Sequence, residues 1–250
     1  MVGAITLSIP AVDVLGERLN LDVRQYPFEI PRFGGTPAER SGIEQQVGDE
    51  LEAAGLGRAG RPEPEVADAL YLLSSSEISV AAVGLLDVRT GQWLAARVVA
   101  TGEVGVLGII TGRGLRMEFL PPENLPETCA GLLPQAPPGA GEAVSVTMSS
   151  SAGEHGRSDP RIAESGGMRA VEAITGLARY RIGHYVVTGT DRRGRSTRLP
   201  ALAWFDTEHG RYTMLGDRSA AGEEVLTCTP VDRQRLLSQL TGLRDRAHRR

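Results

Sequence analysis

Apolar side chains recur at helical spacing in the first part of the chain. Val12, Leu15 and Leu19 share one face of a helix predicted to begin at Pro10, a residue that suits a first helical turn. The same spacing returns between about Glu63 and Ser74, so a further helix is predicted there. Each of these helices presents an apolar face, which the rest of the chain must cover.

The most complete helix signal lies between these two segments. Thr36 is predicted as the N-cap, Pro37 as the first helical residue and Glu39 as the partner of Thr36 in a capping box. Apolar positions then recur every fourth residue until Gly55, which is predicted to end the helix.

The pattern changes to period two after residue 77, which is typical of strands. Strands are predicted at 78–88, 92–101, 104–111 and 115–120, followed by a short helix after Pro122. A second set is predicted at 180–190, 196–205, 210–215 and 223–227, preceded by a helix over 159–178. A further short strand at 144–148 is predicted in the segment that joins the two sets. The final helix is predicted to have Thr229 as its cap and Pro230 as its first residue. Two such meanders predict a shared antiparallel sheet with helices packed at its sides, an α+β fold.

Residues 94–133 and 202–241 align without gaps, and half of the identical positions are Gly or Pro, as at Gly102/Gly210 and Pro122/Pro230. Such residues serve the backbone, so their recurrence indicates shared turns rather than shared chemistry. We predict one domain over residues 1–250, made of two related halves at about 1–133 and 159–250. A flexible linker at 134–158 is predicted to join them, and its most polar part, 149–158, to be mobile.

Composition narrows the functional class. The net charge is −4 and aromatic residues make up 4% of the chain, which argues against general binding to nucleic acid. Cys129 and Cys228 are too few for a disulfide framework and are interpreted as buried apolar residues in a reducing compartment. No signal-peptide pattern and no long apolar run is present, so a cytoplasmic location is predicted.

Candidate catalytic groups are few. His184 lies in an alternating strand segment and is a conceivable partner for Asp191 or Asp206 in a hydrolase, but no nucleophile motif accompanies it. The cluster of Asp206, Glu208 and His209 lacks the ligand spacing of a metal site. It is interpreted as a hairpin turn in which Asp206 caps the backbone and Gly210 takes a positive φ. The glycines at 102–114 fit neither nucleotide-binding pattern, so no cofactor is predicted.

One loop is strongly basic. Arg192, Arg193, Arg195 and Arg198 follow Asp191 in a segment predicted to be a hairpin tip. Exposed loop charges are most often simply solvated. An alternative is a regulatory module that binds an acidic partner through this loop.

The second half carries a more specific pattern. The segment Tyr180–Val187 reads YRIGHYVV, Arg198–Tyr212 reads RLPALAWFDTEHGRY, and Thr229-Pro230 precedes an amphipathic helix. In the first half, Gly35-Thr36 and Glu39-Arg40 open the second helix. Together these segments resemble the EspG family, chaperones associated with the type VII (ESX) secretion systems of actinobacteria, and the resemblance covers roughly residues 5–243.

The resemblance implies a fold and a function. It implies a central antiparallel sheet flanked by two helical bundles in a quasi-two-fold arrangement. It also implies a cytosolic chaperone without catalysis, which binds the tip of a helical PE–PPE heterodimer, keeps it soluble and delivers it for secretion. In this family the binding surface is expected to involve the central sheet and the C-terminal helical bundle.

No contact residue transfers from the resemblance, so candidates come from the predicted elements. Aromatic and flexible apolar side chains serve well as anchors for a helix. The candidates for partner binding are Trp204, Tyr212 and Met214 on the sheet and Leu237 and Leu240 on the last helix. Plain core packing is the alternative interpretation for every one of them.

Overall fold

A computed structural model describes residues 3–148, 166–191, 193–219 and 222–249. Within those ranges an antiparallel sheet of eleven strands forms the centre of the molecule. The strands of this sheet are β1 (Ile5–Leu7), β4 (Ile78–Asp87), β5 (Gln92–Thr101), β6 (Val104–Thr111), β7 (Gly114–Leu120), β8 (Val144–Met148), β9 (Arg181–Thr190), β10 (Ser196–Arg198), β11 (Leu202–Thr207), β12 (Gly210–Arg218) and β13 (Glu224–Pro230). A separate small hairpin consists of β2 (Gly57–Arg58) and β3 (Arg61–Pro62).

Six helices accompany the sheet in the described part of the chain. They are α1 (Ile9–Arg18), α2 (Pro37–Ala53), α3 (Pro64–Ser74), α4 (Leu125–Gly131), α5 (Gly166–Thr175) and α6 (Arg233–His248). The predicted capping box of α2 is confirmed, because Thr36 accepts from the Glu39 amide and Glu39 accepts from the Thr36 amide. This reciprocal pair satisfies two amides that the first helical turn would leave free.

The two predicted meanders meet in one sheet. The strand order is β1-β7-β6-β5-β4-β9-β11-β12-β13-β8, and β10 also pairs with β9. The junction is the antiparallel pair β4–β9, in which Ile78 lies opposite Gly189 and Leu85 opposite Ile182. The predicted antiparallel α+β architecture is therefore confirmed. The internal repeat and the division into halves stay predictions, and residues 149–158 lie outside the described ranges.

The two sheet faces are covered differently. On one face, here called the covered face, α4 and α6 pack over the central strands and bury Leu202, Trp204, Leu236 and Leu240 in a continuous core. Trp204 lies against Gly84 and Gly183, where an added Cβ would come within 3 Å of the indole. The absence of side chains at these two glycines therefore makes room for the largest residue of this core.

On the opposite face, two separate helical groups cover the outer parts of the sheet. Helices α1, α2 and α3 pack over β5, β6 and β7 with Val99, Val106 and Met117 beneath them. Residues of α5 pack with β8, β11, β12 and β13 over Phe205 and Tyr212. Ile182 of β9 packs against the second group, whereas Val83 of β4 and Val186 of β9 belong to neither group.

Two boundary predictions were wrong. Thr229 and Pro230 belong to β13, and α6 begins three residues later with Asp232 as its N-cap. Pro230 has no backbone N–H to donate, and it is tolerated in β13 because the described pairing with β8 involves only residues 224–228. The strand predicted at 196–205 is two strands, β10 and β11, which pair with successive parts of β9 and are separated by a segment that contains Pro200.

Candidate functional site

The five predicted partner-binding residues do not form one surface. Trp204 and Leu240 are buried in the core of the covered face, and Leu237 lies on α6, which packs on that same face. Tyr212 and Met214 lie on the opposite face of the sheet. Trp204, Tyr212 and Leu240 are each at most 2% exposed, so contact with a partner would require the core to open. Only Met214 and Leu237 are partly exposed, and for them the role stays a prediction.

A strip of the sheet remains open between the two helical groups. One row of paired residues crosses four strands of this face. Val83 lies opposite His184, His184 lies opposite Ala203, and Ala203 lies opposite Met214. A neighbouring row pairs Trp93 with Leu85. We call these six residues the central strip: Val83, Leu85, Trp93, His184, Ala203 and Met214.

The central strip has the length of a short helix. It extends from β5 through β4, β9 and β11 to β12, and these four inter-strand spacings amount to roughly 19 Å. A helix of about twelve residues has a similar length, roughly 18 Å. Apart from Val83, the residues of the strip are partly or fully exposed and mainly apolar. Such a surface suits one amphipathic helix or the tip of a helical pair.

Trp93 is the part of this surface that sequence reasoning missed. Its side chain is 59% exposed, while the other tryptophan of the chain, Trp204, is fully buried. Val88 and Tyr180 are also exposed at this end of the sheet, and the Val88 amide donates to the Tyr180 carbonyl. The sequence signal was present, because Trp93 follows the turn at Thr90-Gly91 in the register of a strand end.

His184 is held by a neighbour from the first half of the chain. Its Nε2 and the Tyr26 hydroxyl are 2.7 Å apart and share a hydrogen bond, and the two rings stack at 6.2 Å between centroids. Burial, and secondly the charge of Arg198, lowers the pKa of His184 below its ordinary value. The imidazole is therefore neutral at physiological pH and serves as a hydrogen-bonded part of the strip surface.

The predicted pairing of His184 with Asp206 is not formed. Asp206 pairs in register with Arg181 on β9, three residues from His184, so the two side chains leave the sheet on opposite faces. Asp206 is buried and accepts two hydrogen bonds from Arg211, at 2.6 and 2.8 Å, and one from Arg181. Thr207 rather than Asp206 bonds within the hairpin turn, which corrects the expected cap.

Asp191 is also committed elsewhere. Its carboxylate accepts from the backbone amides of Arg193 and Arg195 and from the Arg195 guanidinium at 2.8 Å. These bonds hold the pKa of Asp191 below its ordinary value. Among the predicted loop arginines, Arg195 is thus paired within the loop, and Arg192 lies outside the described residues. The structure brings neither candidate acid to His184.

Cys129 and Cys228 are buried free thiols, as their sequence context predicted. Burial raises the pKa of both. No three His, Cys, Asp or Glu side chains cluster as metal ligands within the ranges that the structure describes. None of the described helices combines the length and apolar character that crossing a bilayer requires.

Comparison with known proteins identifies a family. A family model described as "EspG family" matches residues 8–242. No curated protein sequence matches the chain. A solved structure from Mycobacterium tuberculosis, the type VII secretion system chaperone EspG5 in complex with the PE25–PPE41 dimer, has a similar fold with a TM-score of 0.67. The two chains are 14% identical, and the similarity covers 97% of this chain and 96% of the other.

Proposed function

The chain belongs to the EspG family, and we propose that it is a cytoplasmic chaperone of a type VII (ESX) secretion system. Its partner is a helical secretion substrate, a PE–PPE heterodimer or one built like it. The chaperone covers the apolar tip of this substrate, keeps it soluble and delivers it to the secretion machinery. This role requires reversible binding and no catalytic step.

The observation that carries the proposal is the central strip. A mainly apolar, partly exposed band crosses the middle of a sheet whose outer parts on the same face are covered by helices. Trp93 lies at one end of this band with most of its side chain in solvent. Aromatic anchors of this kind dominate the affinity of interfaces when a partner buries them.

The similar solved structure supports the same role. That protein is named as a chaperone and was solved with a PE25–PPE41 dimer bound. An apolar helical tip aggregates when exposed, and a matching apolar strip on a stable sheet lowers the concentration of its free form. The hydrolase alternative has no comparable support, because His184 faces away from Asp206 and bonds to Tyr26.

Co-expression tests the proposal. The chain, carrying a tag, is produced with a PE–PPE pair encoded beside its gene, and the captured material is sized. We expect a soluble complex of three chains, which is lost when the apolar tip of the substrate is made polar. The proposal fails if the pair is soluble alone and is not captured.

A matched pair of variants locates the binding surface. Trp93→Ser removes the exposed anchor of the strip, while Tyr71→Ser removes a side chain of similar exposure, 57%, from α3. We expect Trp93→Ser to weaken capture at least tenfold, a loss of about 1.4 kcal/mol. Tyr71→Ser should leave capture unchanged, and equal losses in both variants would contradict the placement.

A further inference from the structure

A second site lies beside the central strip. It is a pocket of about 430 Å³ between the end of α3, the segment around Tyr26 and the strands β4, β9 and β10. Seven of the side chains that line it are serine or threonine, and two are arginine, Arg97 and Arg198. None of its lining residues is Asp or Glu.

Arg97 is a partly buried cation that forms no ion pair within 4 Å among the described residues, although the charge of Asp22 acts on it from a longer distance and raises its pKa against the larger effect of burial. Its Nε donates to the Leu73 carbonyl at 3.1 Å and its Nη1 donates to the Tyr26 carbonyl at 2.9 Å. Burial lowers the pKa of Arg97 to about 10. A guanidinium taken from water without a counter-ion is costly, and a bound anion would offset that cost.

Arg198 places a second charge at the mouth of the same pocket. Its guanidinium lies 5.8 Å from the centre of the Tyr26 ring, and no ion pair with it is formed by the residues that the structure describes. The strand register aligns it with Thr188 and Ser79 in one row on this face. The carboxylate of Asp191, in the loop before β10, is paired with Arg195.

We propose that this pocket binds an oxyanion, a carboxylate or phosphate group, between Arg97 and Arg198. Arg198 offers an anion two parallel donors, and Arg97 adds its Nη2, because its Nε and Nη1 already donate to carbonyls. The hydroxyls of Ser79 and Thr188 supply further donors. The pocket volume lies within the range of small-molecule sites, so it accommodates an organic body beside the charged group.

The anion has two possible sources, a free small molecule or an acidic side chain of the bound substrate. The first is tested on the free chain, without reference to the proposed chaperone function. Sodium phosphate and sodium succinate are titrated against sodium chloride at equal ionic strength, and binding is followed by the NMR signals of Thr188 and of the Arg97 side chain.

We expect saturable binding that Arg198→Gln weakens at least tenfold and Arg97→Gln abolishes. Arg198 is exposed, so its substitution leaves the fold intact even if Arg97→Gln destabilises the chain. Arg113→Gln, in the exposed turn between β6 and β7, is the matched control and should bind as the unmodified chain does.

The second source is tested by capture of the PE–PPE pair at low and high salt. If Arg198→Gln lowers capture at low salt and phosphate and succinate do not bind, the anion belongs to the substrate. If either probe binds saturably and capture is unchanged, the anion is a free molecule. The inference is overturned if neither measurement depends on Arg97 and Arg198, whether or not the chaperone complex itself forms.

Discussion

The two tryptophans of the chain lie on opposite faces of one sheet and meet opposite surroundings. Trp204 is fully buried beneath the helices of the covered face, against Gly84 and Gly183. Trp93 is 59% exposed at the end of the central strip, where no described helix covers it. The residue type is the same, so the difference arises from the helices and not from the strands. On the covered face the indole stabilises the fold, and on the strip it is accessible from solvent.

The largest expected effect is on the covered face. Trp204→Ala should lower the free energy of unfolding by roughly 3–5 kcal/mol, because it removes the largest buried side chain and leaves a cavity. Urea denaturation measures this change. A loss below about 1 kcal/mol would mean that Trp204 is not part of a close-packed core.

The buried ion pair of the covered face gives the next effect. Arg211→Leu leaves the Asp206 carboxylate with Arg181 as its one remaining cation among the residues that the structure describes, and it should cost about 3 kcal/mol of stability. The double variant Asp206→Leu and Arg211→Leu removes both charges and should recover part of that loss. If the double variant loses more stability than the two single variants lose together, Asp206 and Arg211 do not stabilise the fold as a pair.

Two partly exposed side chains, Met214 and Leu237, lie on opposite faces of the sheet and test which face binds the partner. Met214→Glu places a charge on the central strip, and Leu237→Glu places one on α6. We expect Met214→Glu to weaken capture of the PE–PPE pair at least tenfold and Leu237→Glu to change it less than twofold. Melting temperatures serve as the control for folding. The opposite ranking would move the binding surface to the C-terminal helix.

The smallest effect concerns His184. Burial and Arg198 lower its pKa below the ordinary value, so the unfolded chain binds a proton at a higher pH than the folded chain does. The contribution of neutral His184 to the free energy of unfolding is therefore present above about pH 6.5 and declines as the pH falls below that value. NMR titration of the imidazole should show the depressed pKa, and Arg198→Gln should raise it. An unchanged pKa in that variant would remove Arg198 as a cause.

Local signals in the sequence predicted most helices and strands well, but they did not predict which residues form the central strip. Thr36, Pro37 and Glu39 specify a helix start by themselves, because every group of a capping box lies within four residues. Thr229 and Pro230 offered a similar signal and were wrong, because pairing of β13 with β12 extends to Pro230. Tertiary pairing there overrides a local preference that the sequence displays clearly.

The proposed binding surface depends on information that lies far apart in the sequence. Period-two alternation places Trp204 and Phe205 on opposite faces, but it does not say which face α6 covers. Both side chains are buried, Trp204 beneath α4 and α6 and Phe205 in the group with α5, while Trp93 on the same face as Phe205 stays exposed. The meeting of Tyr26 with His184 likewise joins residues 158 positions apart, and no local pattern predicts it.

The most direct test of the account follows the two tryptophans separately. The chain is labelled with 5-fluorotryptophan, which gives one fluorine signal for each of its two tryptophans, and unlabelled PE–PPE pair is added. We predict that the Trp93 signal shifts and loses its sensitivity to solvent isotope, while the Trp204 signal stays unchanged. A shift of Trp204 alone would contradict the central strip as the binding surface.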